Sequence, residues 1–269
     1  MAGLISVFLC GVQKAATTTL HSYLSEHPAL SPPRHKELHL FDNEGRDWTA
    51  PDFGDVDAHF AADDGARLRF ESTPIYSFWP PSISRIRAYN PDARLILSFR
   101  DPFERAVSHW SMEQARGAES LPFADAIRVG RERLAQASPL GRAHRVYSYL
   151  ERGAYAEQVL RVLSHFPRDQ VLFLNLDDLA DDPVWVLGRI AGFLGLKSFP
   201  SVWPRREHAR RPGAVATAPT EADRRLVADY LRDDLPVFAR LTRLDISTWP
   251  TWRLMIEDGG PRRSKHRFG

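Results

Sequence analysis

Val7-Phe8-Leu9-Cys10-Gly11-Val12-Gln13-Lys14-Ala15-Ala16-Thr17-Thr18-Thr19-Leu20 joins an apolar run to a Gly, a lone Lys and a Thr cluster. The run from Leu4 to Leu9 predicts a buried parallel strand. Thr17 to Glu26, with Leu20, Tyr23 and Leu24 at helical spacing, predicts a helix. A turn that aims backbone N–H groups and a helix N-terminus at one point favours an anion. Lys14 adds a point charge and Thr17, Thr18 and Thr19 add hydroxyl donors. The nucleoside-triphosphate loop has the form G-x-x-x-x-G-K-[ST], with a hydroxyl beside the Lys for Mg²⁺. Here Lys14 follows Gly11 by three residues, Ala15 stands in the metal-binding position, and no second Gly is present. Taken alone the stretch is either an anion cradle or an ordinary strand-to-helix turn carrying a surface Lys.

Three further stretches bear on that choice. Arg94 to Phe99 is a second apolar run, ending in Arg100 and then Asp101-Pro102, an N-cap and first-position pair that starts a helix. Arg100 is thereby placed at the carboxyl end of a strand, where open α/β sheets bind ligands, and Ser108 about two turns along the next helix. An Arg and a hydroxyl in those places can hold a phosphate, although each alone is an ordinary surface group. Lys36-Glu37-Leu38-His39-Leu40-Phe41-Asp42 places Glu37 and His39 on one face if the segment is extended. Read without its neighbours, Glu37 is a solvated loop carboxylate. Arg69-Phe70-Glu71-Ser72-Thr73-Pro74-Ile75-Tyr76 runs out of a third expected strand.

Together these motifs resemble the sulfotransferases that use 3′-phosphoadenosine 5′-phosphosulfate (PAPS), in particular the heparan sulfate 3-O- and N-sulfotransferase domains and their bacterial relatives. The G-x-x-K-x-x-T-T spacing resembles the family's 5′-phosphosulfate loop, which implies donor binding by Gln13, Lys14, Ala15, Ala16, Thr17, Thr18 and Thr19. The element R-D-P-x-x-R-x-x-S, present as Arg100, Asp101, Pro102, Arg105 and Ser108, implies that Arg100 and Ser108 bind the donor's 3′-phosphate. The 36–42 segment resembles E-x-H-F-F-D, with Leu40 for the first Phe. The resemblance implies Glu37 as catalytic base and His39 as a group that orients the acceptor or tunes the carboxylate. The 69–76 segment resembles E-K-T-P-x-Y, but Ser72 replaces a Lys. That loss places more weight on Lys14 or on an Arg from elsewhere, such as Arg210 or Arg211, in an Arg-rich loop from Arg205 to Gly213. Ala15 and Ala16 stand where relatives carry Thr-Gly or Gly-Gly. The segment from Tyr149 to Leu179 extends the likeness, with Arg152, Gly153 and Tyr155 expected near the donor.

The expected fold is α/β, a P-loop-like domain over residues 1–269. Its central parallel sheet has strands near 4–10, 67–71, 94–99 and 171–175 and helices on both faces. Helices are expected over Pro183 to Leu194, Glu221 to Arg232 and Leu235 to Thr242. Residues 260–269 read as a basic flexible tail. The sequence holds one cysteine, so no intrachain disulfide forms, and a formal charge of +2 points to no nucleic-acid partner. No apolar run approaches a membrane span, and a cytoplasmic location is expected. Trp48, Trp79, Trp110 and Phe53 are either core residues or stacking surfaces for an acceptor. The long connections Pro28 to Pro33, Asp42 to Gly65 and Gly117 to Pro122 are the places to look for the acceptor cleft.

The resulting expectation is sulfuryl transfer from PAPS, with no metal, to a hydroxyl or amine of a glycan, lipid or small-molecule acceptor. The alternatives are a P-loop nucleoside-triphosphate kinase and a catalytically inactive nucleotide-binding protein of the same fold.

Overall fold

A computed structural model of the chain describes residues 3–61, 67–200 and 218–257. The chain groups into two compact units interleaved in sequence, Met1–Arg100 with Leu160–Arg211 and Asp101–Val159 with Pro212–Gly269. Arg210, Arg211 and the 260–269 tail lie outside the described residues.

The first unit holds the sheet. Its strands are β1 (Ile5–Gly11), β2 (Leu30–Ser31), β3 (Leu68–Glu71), β4 (Arg94–Phe99) and β5 (Val171–Asn175), in the order β2-β3-β1-β4-β5. Every pairing is parallel. The strands read as near-continuous apolar runs because both faces are covered. Val7, Leu9, Phe70, Ile96 and Leu172 pack beneath helix α1 (Thr17–Glu26) and the helix Pro183–Leu194. The opposite face carries Phe8, whose ring meets Phe41 at 5.5 Å, and Phe41 in turn meets Tyr89 of α2 (Ser82–Tyr89) at 5.3 Å. β2 is the element that no periodicity announces, since two residues are too few to show any. A parallel sheet brings all its carboxyl ends to one edge. There β1 ends at Gly11 between β3, ending at Glu71, and β4, ending at Phe99.

The connection after Asp42 has a small core of its own. Trp48 and Phe53 lie 6.4 and 5.8 Å from Phe41, and the Arg85 guanidinium sits 4.0 Å over the Trp48 ring. Glu44 accepts from the Trp79 indole N–H at 2.6 Å and from both Arg85 nitrogens. Trp79 and Trp110 are fully buried, so these two are core residues.

In the second unit, α3 (Pro102–Ala115) starts as its sequence predicts. Asp101 accepts from the Glu104 N–H at 3.0 Å, and its other oxygen accepts from the Thr251 N–H at 2.9 Å. Arg105 is fully buried and donates to the Tyr149 carbonyl. Tyr155, expected beside the donor, is buried against Phe238 and Trp249. The 117–122 turn closes on buried Glu119, which accepts from the Ser120 and Leu121 N–H groups and from Arg133.

Candidate active site

The phosphate loop follows β1 directly. The Val12 N–H donates to the Ser98 carbonyl at 2.7 Å, tying the loop to β4, and the Ala15 N–H donates back to Val12 at 3.1 Å. Ala15 is fully buried and its amide is engaged, so it shapes the turn rather than offering an N–H to a ligand. Lys14 and Ala16 adopt left-handed backbone, with φ of 73° and 57°. No side chain caps α1, whose N-cap is Ala16, so its first turn presents N–H groups to an incoming anion. Thr17 and Thr19 are buried, while Gln13, Lys14 and Thr18 are half-buried. Gly11 is required by a close approach, because a β-carbon there would overlap the Ser77 hydroxyl.

Arg100, half-buried just past β4, reaches back so that Nη1 lies 3.5 Å from the Lys14 carbonyl oxygen. The strand order therefore brings the Arg100 guanidinium beside the Lys14 main chain, joining two residues that follow separate strands in the sequence. Ser108 belongs to the second unit, where it is half-buried on α3. Two fixed positions of the R-D-P-x-x-R-x-x-S element have structural work there, Asp101 as cap and Arg105 as the holder of Tyr149. The element read as one ligand motif is thus partly a folding motif.

The third motif has no regular secondary structure. Glu37 and His39 both have left-handed backbone, at φ 63° and 53°. Side-chain exposure is 40% for Glu37 and 48% for His39, whereas Asp42 is fully buried. Asp42 accepts from His39 Nδ1 at 2.9 Å; His39 Nε2 lies 3.7 Å from Glu37 Oε2, an ion-pair distance; and Lys36 Nζ lies 2.6 Å from Glu37 Oε1. Desolvation raises the Glu37 carboxyl, but the His39 imidazolium and the Lys36 ammonium outweigh it and leave it at about 2. Asp42 first, and then Glu37, hold the His39 imidazolium up to about 9. At neutral pH Glu37 is therefore a carboxylate and His39 an imidazolium, the latter held against Asp42.

Glu71, Thr73 and Tyr76, fixed positions of the E-K-T-P-x-Y likeness to which the sequence assigns no role, meet this segment from beneath. Glu71 Oε1 accepts from the Leu38 N–H at 3.0 Å and from the Thr73 hydroxyl, and the Tyr76 hydroxyl accepts from the Leu40 N–H at 3.0 Å. Ser72, in the position where the resemblance expects a Lys, is 2.9 Å from His21 Nδ1 on α1. The available signal was an acidic residue closing a strand just before the Thr73-Pro74 turn.

The family model for the sulfotransferase domain matches residues 4–208. The chain belongs to the sulfotransferase family. This family member is 30% identical over 192 residues to human heparan sulfate glucosamine 3-O-sulfotransferase 3B1, covering 70% of this chain and 45% of the relative. It is 28% identical over 203 residues to human bifunctional heparan sulfate N-deacetylase/N-sulfotransferase 2, covering 71% of this chain and 22% of that protein. The chain thus spans about half or less of the length of the curated relatives it matches. Among solved structures, a sulfotransferase from Alicyclobacillus acidocaldarius superposes with a TM-score of 0.76 at 27% identity, covering 93% of this chain and 99% of that one. Mouse sulfotransferase SULT7A1, solved in complex with PAP, shares the fold at a TM-score of 0.55 and 14% identity, with 91% and 90% coverage. Among the described residues no group of three or more His, Cys, Asp or Glu side chains is placed to hold a metal ion, and no helix is long and apolar enough to cross a membrane.

Proposed function

We propose that this sulfotransferase moves the sulfuryl group of PAPS to a hydroxyl or amine acceptor by in-line displacement, with Glu37 as base. The supporting observation is topological. The phosphate loop, Arg100 and the Glu37 segment stand at the carboxyl ends of the three adjacent strands β1, β4 and β3. Lys14 and the first turn of α1 would bind the 5′-phosphosulfate. Arg100 would bind the 3′-phosphate, with Ser108 as the further ligand that the resemblance implies. The acceptor oxygen or nitrogen attacks sulfur, the bond from sulfur to the 5′-phosphate oxygen breaks, and its electron pair leaves on adenosine 3′,5′-bisphosphate. Lys14 and the helix N-terminus balance that charge. The acceptor proton passes to Glu37.

A carboxyl held at about 2 is a weak base toward a free hydroxyl. The hydroxyl becomes strongly acidic as its bond to sulfur forms, so proton transfer late in the step suits such a group. His39, fixed by Asp42, orients Glu37 and the incoming acceptor. The lone Cys10 is buried in β1 and calls for no oxidising compartment, which supports a cytoplasmic setting. A glycan, a lipid or a small molecule would serve as acceptor, the first favoured by the names of the curated relatives.

The test is transfer of label from [³⁵S]PAPS to a panel of glycan, lipid and phenolic acceptors, with Glu37→Gln as the blank. Labelled product with the wild type and none with the variant supports the reading. Equal product in both removes Glu37 as base, and Mg-ATP-dependent phosphorylation of the panel would replace sulfuryl transfer by a kinase reaction.

A further inference from the structure

Six non-glycine residues have left-handed backbone among the described residues, and four of them, Lys14, Ala16, Glu37 and His39, lie in two short motifs. Such backbone persists only where the surroundings over-determine it. At Lys14 and Ala16 the strand-to-helix connection does so. Around Glu37 and His39 there is no helix or strand, and their side chains are substantially exposed, so side-chain packing cannot do it.

What holds this segment is a row of side-chain oxygens that accept from consecutive backbone N–H groups. The Leu38 N–H donates to Glu71 Oε1 at 3.0 Å, His39 to Thr73 Oγ1 at 3.4 Å, Leu40 to the Tyr76 hydroxyl at 3.0 Å, and Phe41 to the same hydroxyl at 3.5 Å. Thr73 in turn donates its hydroxyl proton to Glu71 Oε1, so these two side chains act as one unit beside Tyr76. All three are fully buried. Their turn is itself anchored, because the Ser77 N–H donates to the Cys10 carbonyl at 3.1 Å and Arg161 donates to the Ser77 and Phe78 carbonyls.

We propose that Glu71, Thr73 and Tyr76 form a clamp that fixes the backbone of residues 38–41 and thereby aims Glu37 and His39 at the acceptor, so that Glu71 is a positioning residue for the transfer step. The inference rests on Glu37 and His39 acting in that step as proposed above. The clamp consumes inward-pointing backbone donors and leaves the two functional side chains facing outward. It also links the base segment to the end of β1, from which the phosphate loop emerges, so donor and base share one frame.

The decisive variants are Glu71→Ala, Glu71→Gln, Thr73→Val and Tyr76→Phe. Gln keeps an oxygen able to accept from both Leu38 and Thr73, so it should rescue what Ala loses. Amide hydrogen exchange is read on peptides covering 36–42 and 12–20, beside kcat, KM and the Kd for adenosine 3′,5′-bisphosphate. Glu71→Ala is expected to speed exchange in 36–42 but not in 12–20, and to lower kcat about 10²-fold while leaving the Kd unchanged. Thr73→Val and Tyr76→Phe are expected to do the same to a smaller degree, which keeps the test decisive if Glu71→Ala does not fold. Unprotected 38–41 amides in the wild type, or an undiminished kcat in Thr73→Val and Tyr76→Phe, would overturn the clamp. A wild type that neither binds the bisphosphate nor turns over PAPS would instead overturn the proposed function, and the exchange data would still decide whether the clamp exists.

Discussion

The phosphate loop at 11–19 and the base segment at 36–42 solve the same problem by different means. Each holds non-glycine residues in left-handed backbone beside a prospective ligand. The loop does so with covalent continuity, a strand before it, a helix after it, and main-chain bonds from Val12 to Ser98 and from Ala15 to Val12. The base segment has no such neighbours and depends on side chains from 33 to 36 residues further along the chain. A local device withstands single side-chain changes, whereas a captured segment is only as firm as its captors. The loop's weak point is therefore its charge, and the base segment's is its support.

That difference can be broken at either end. Lys14→Ala should leave the loop folded yet lower kcat/KM about 10³-fold, since one preorganised charge at the leaving group is removed; steady-state kinetics and a thermal melt together check it. Glu37→Gln should reduce kcat by about 10³-fold with donor affinity intact, which a parallel titration with adenosine 3′,5′-bisphosphate reads.

Glu71 sharpens the comparison through pH. Burial raises its carboxyl to about 7 from an ordinary 4.5, and the groups facing it are Thr73, His39, Asp42, Tyr76, Cys10 and the Leu38 N–H. The folded protein keeps this proton where the unfolded chain has lost it, so its contribution to stability falls as pH rises from 4.5 to 7. The difference in unfolding free energy between Glu71→Gln and wild type should shift toward the variant by about 3 kcal/mol over that window. A flat difference in denaturant titrations would show that Glu71 is ionised throughout. Tyr76→Phe leaves the N–H groups of Leu40 and Phe41 without their acceptor and should cost about 1–2 kcal/mol, measured by the same titrations.

The smallest change is expected from Lys36→Ala. Its ion pair with Glu37 is partly exposed and worth less than about 1 kcal/mol. Glu37 loses one of the charges that hold it at about 2, so the acid limb of the kcat/KM profile should move to higher pH while the plateau stays. An unmoved limb would mean that His39 alone sets the carboxylate.

The sequence made the first region legible because everything that builds it is contiguous. An apolar run, a Gly and a Thr-started helix announce β1, the loop and α1, and the same logic reads the Asp101-Pro102 start of α3. The second region showed its proposed base and its neighbour, Glu37 and His39, but not its scaffold. A buried Glu that bonds a distant main-chain N–H has no periodicity, so Glu71 is legible as a fixed position of the E-K-T-P-x-Y likeness but not as a support for residues 38–41. Asp101 and Arg105 teach the converse, since residues of a ligand-like motif can serve the fold. The double role of aromatics was equally hidden. Trp48 and Phe53 cover Phe41 in a loop core, a pairing that only the folded chain reveals.

The central claim is that β1 and β4 build one donor site at their carboxyl ends while β3 carries the base segment. Calorimetric titration of adenosine 3′,5′-bisphosphate into the wild type, Lys14→Ala, Arg100→Ala and Glu37→Gln tests it most directly, with Mg-ATP as the control ligand. The account predicts micromolar binding to the wild type and Glu37→Gln, its loss in Lys14→Ala and Arg100→Ala, and indifference to Mg-ATP. Binding that survives both cation variants, or a preference for Mg-ATP, would contradict it.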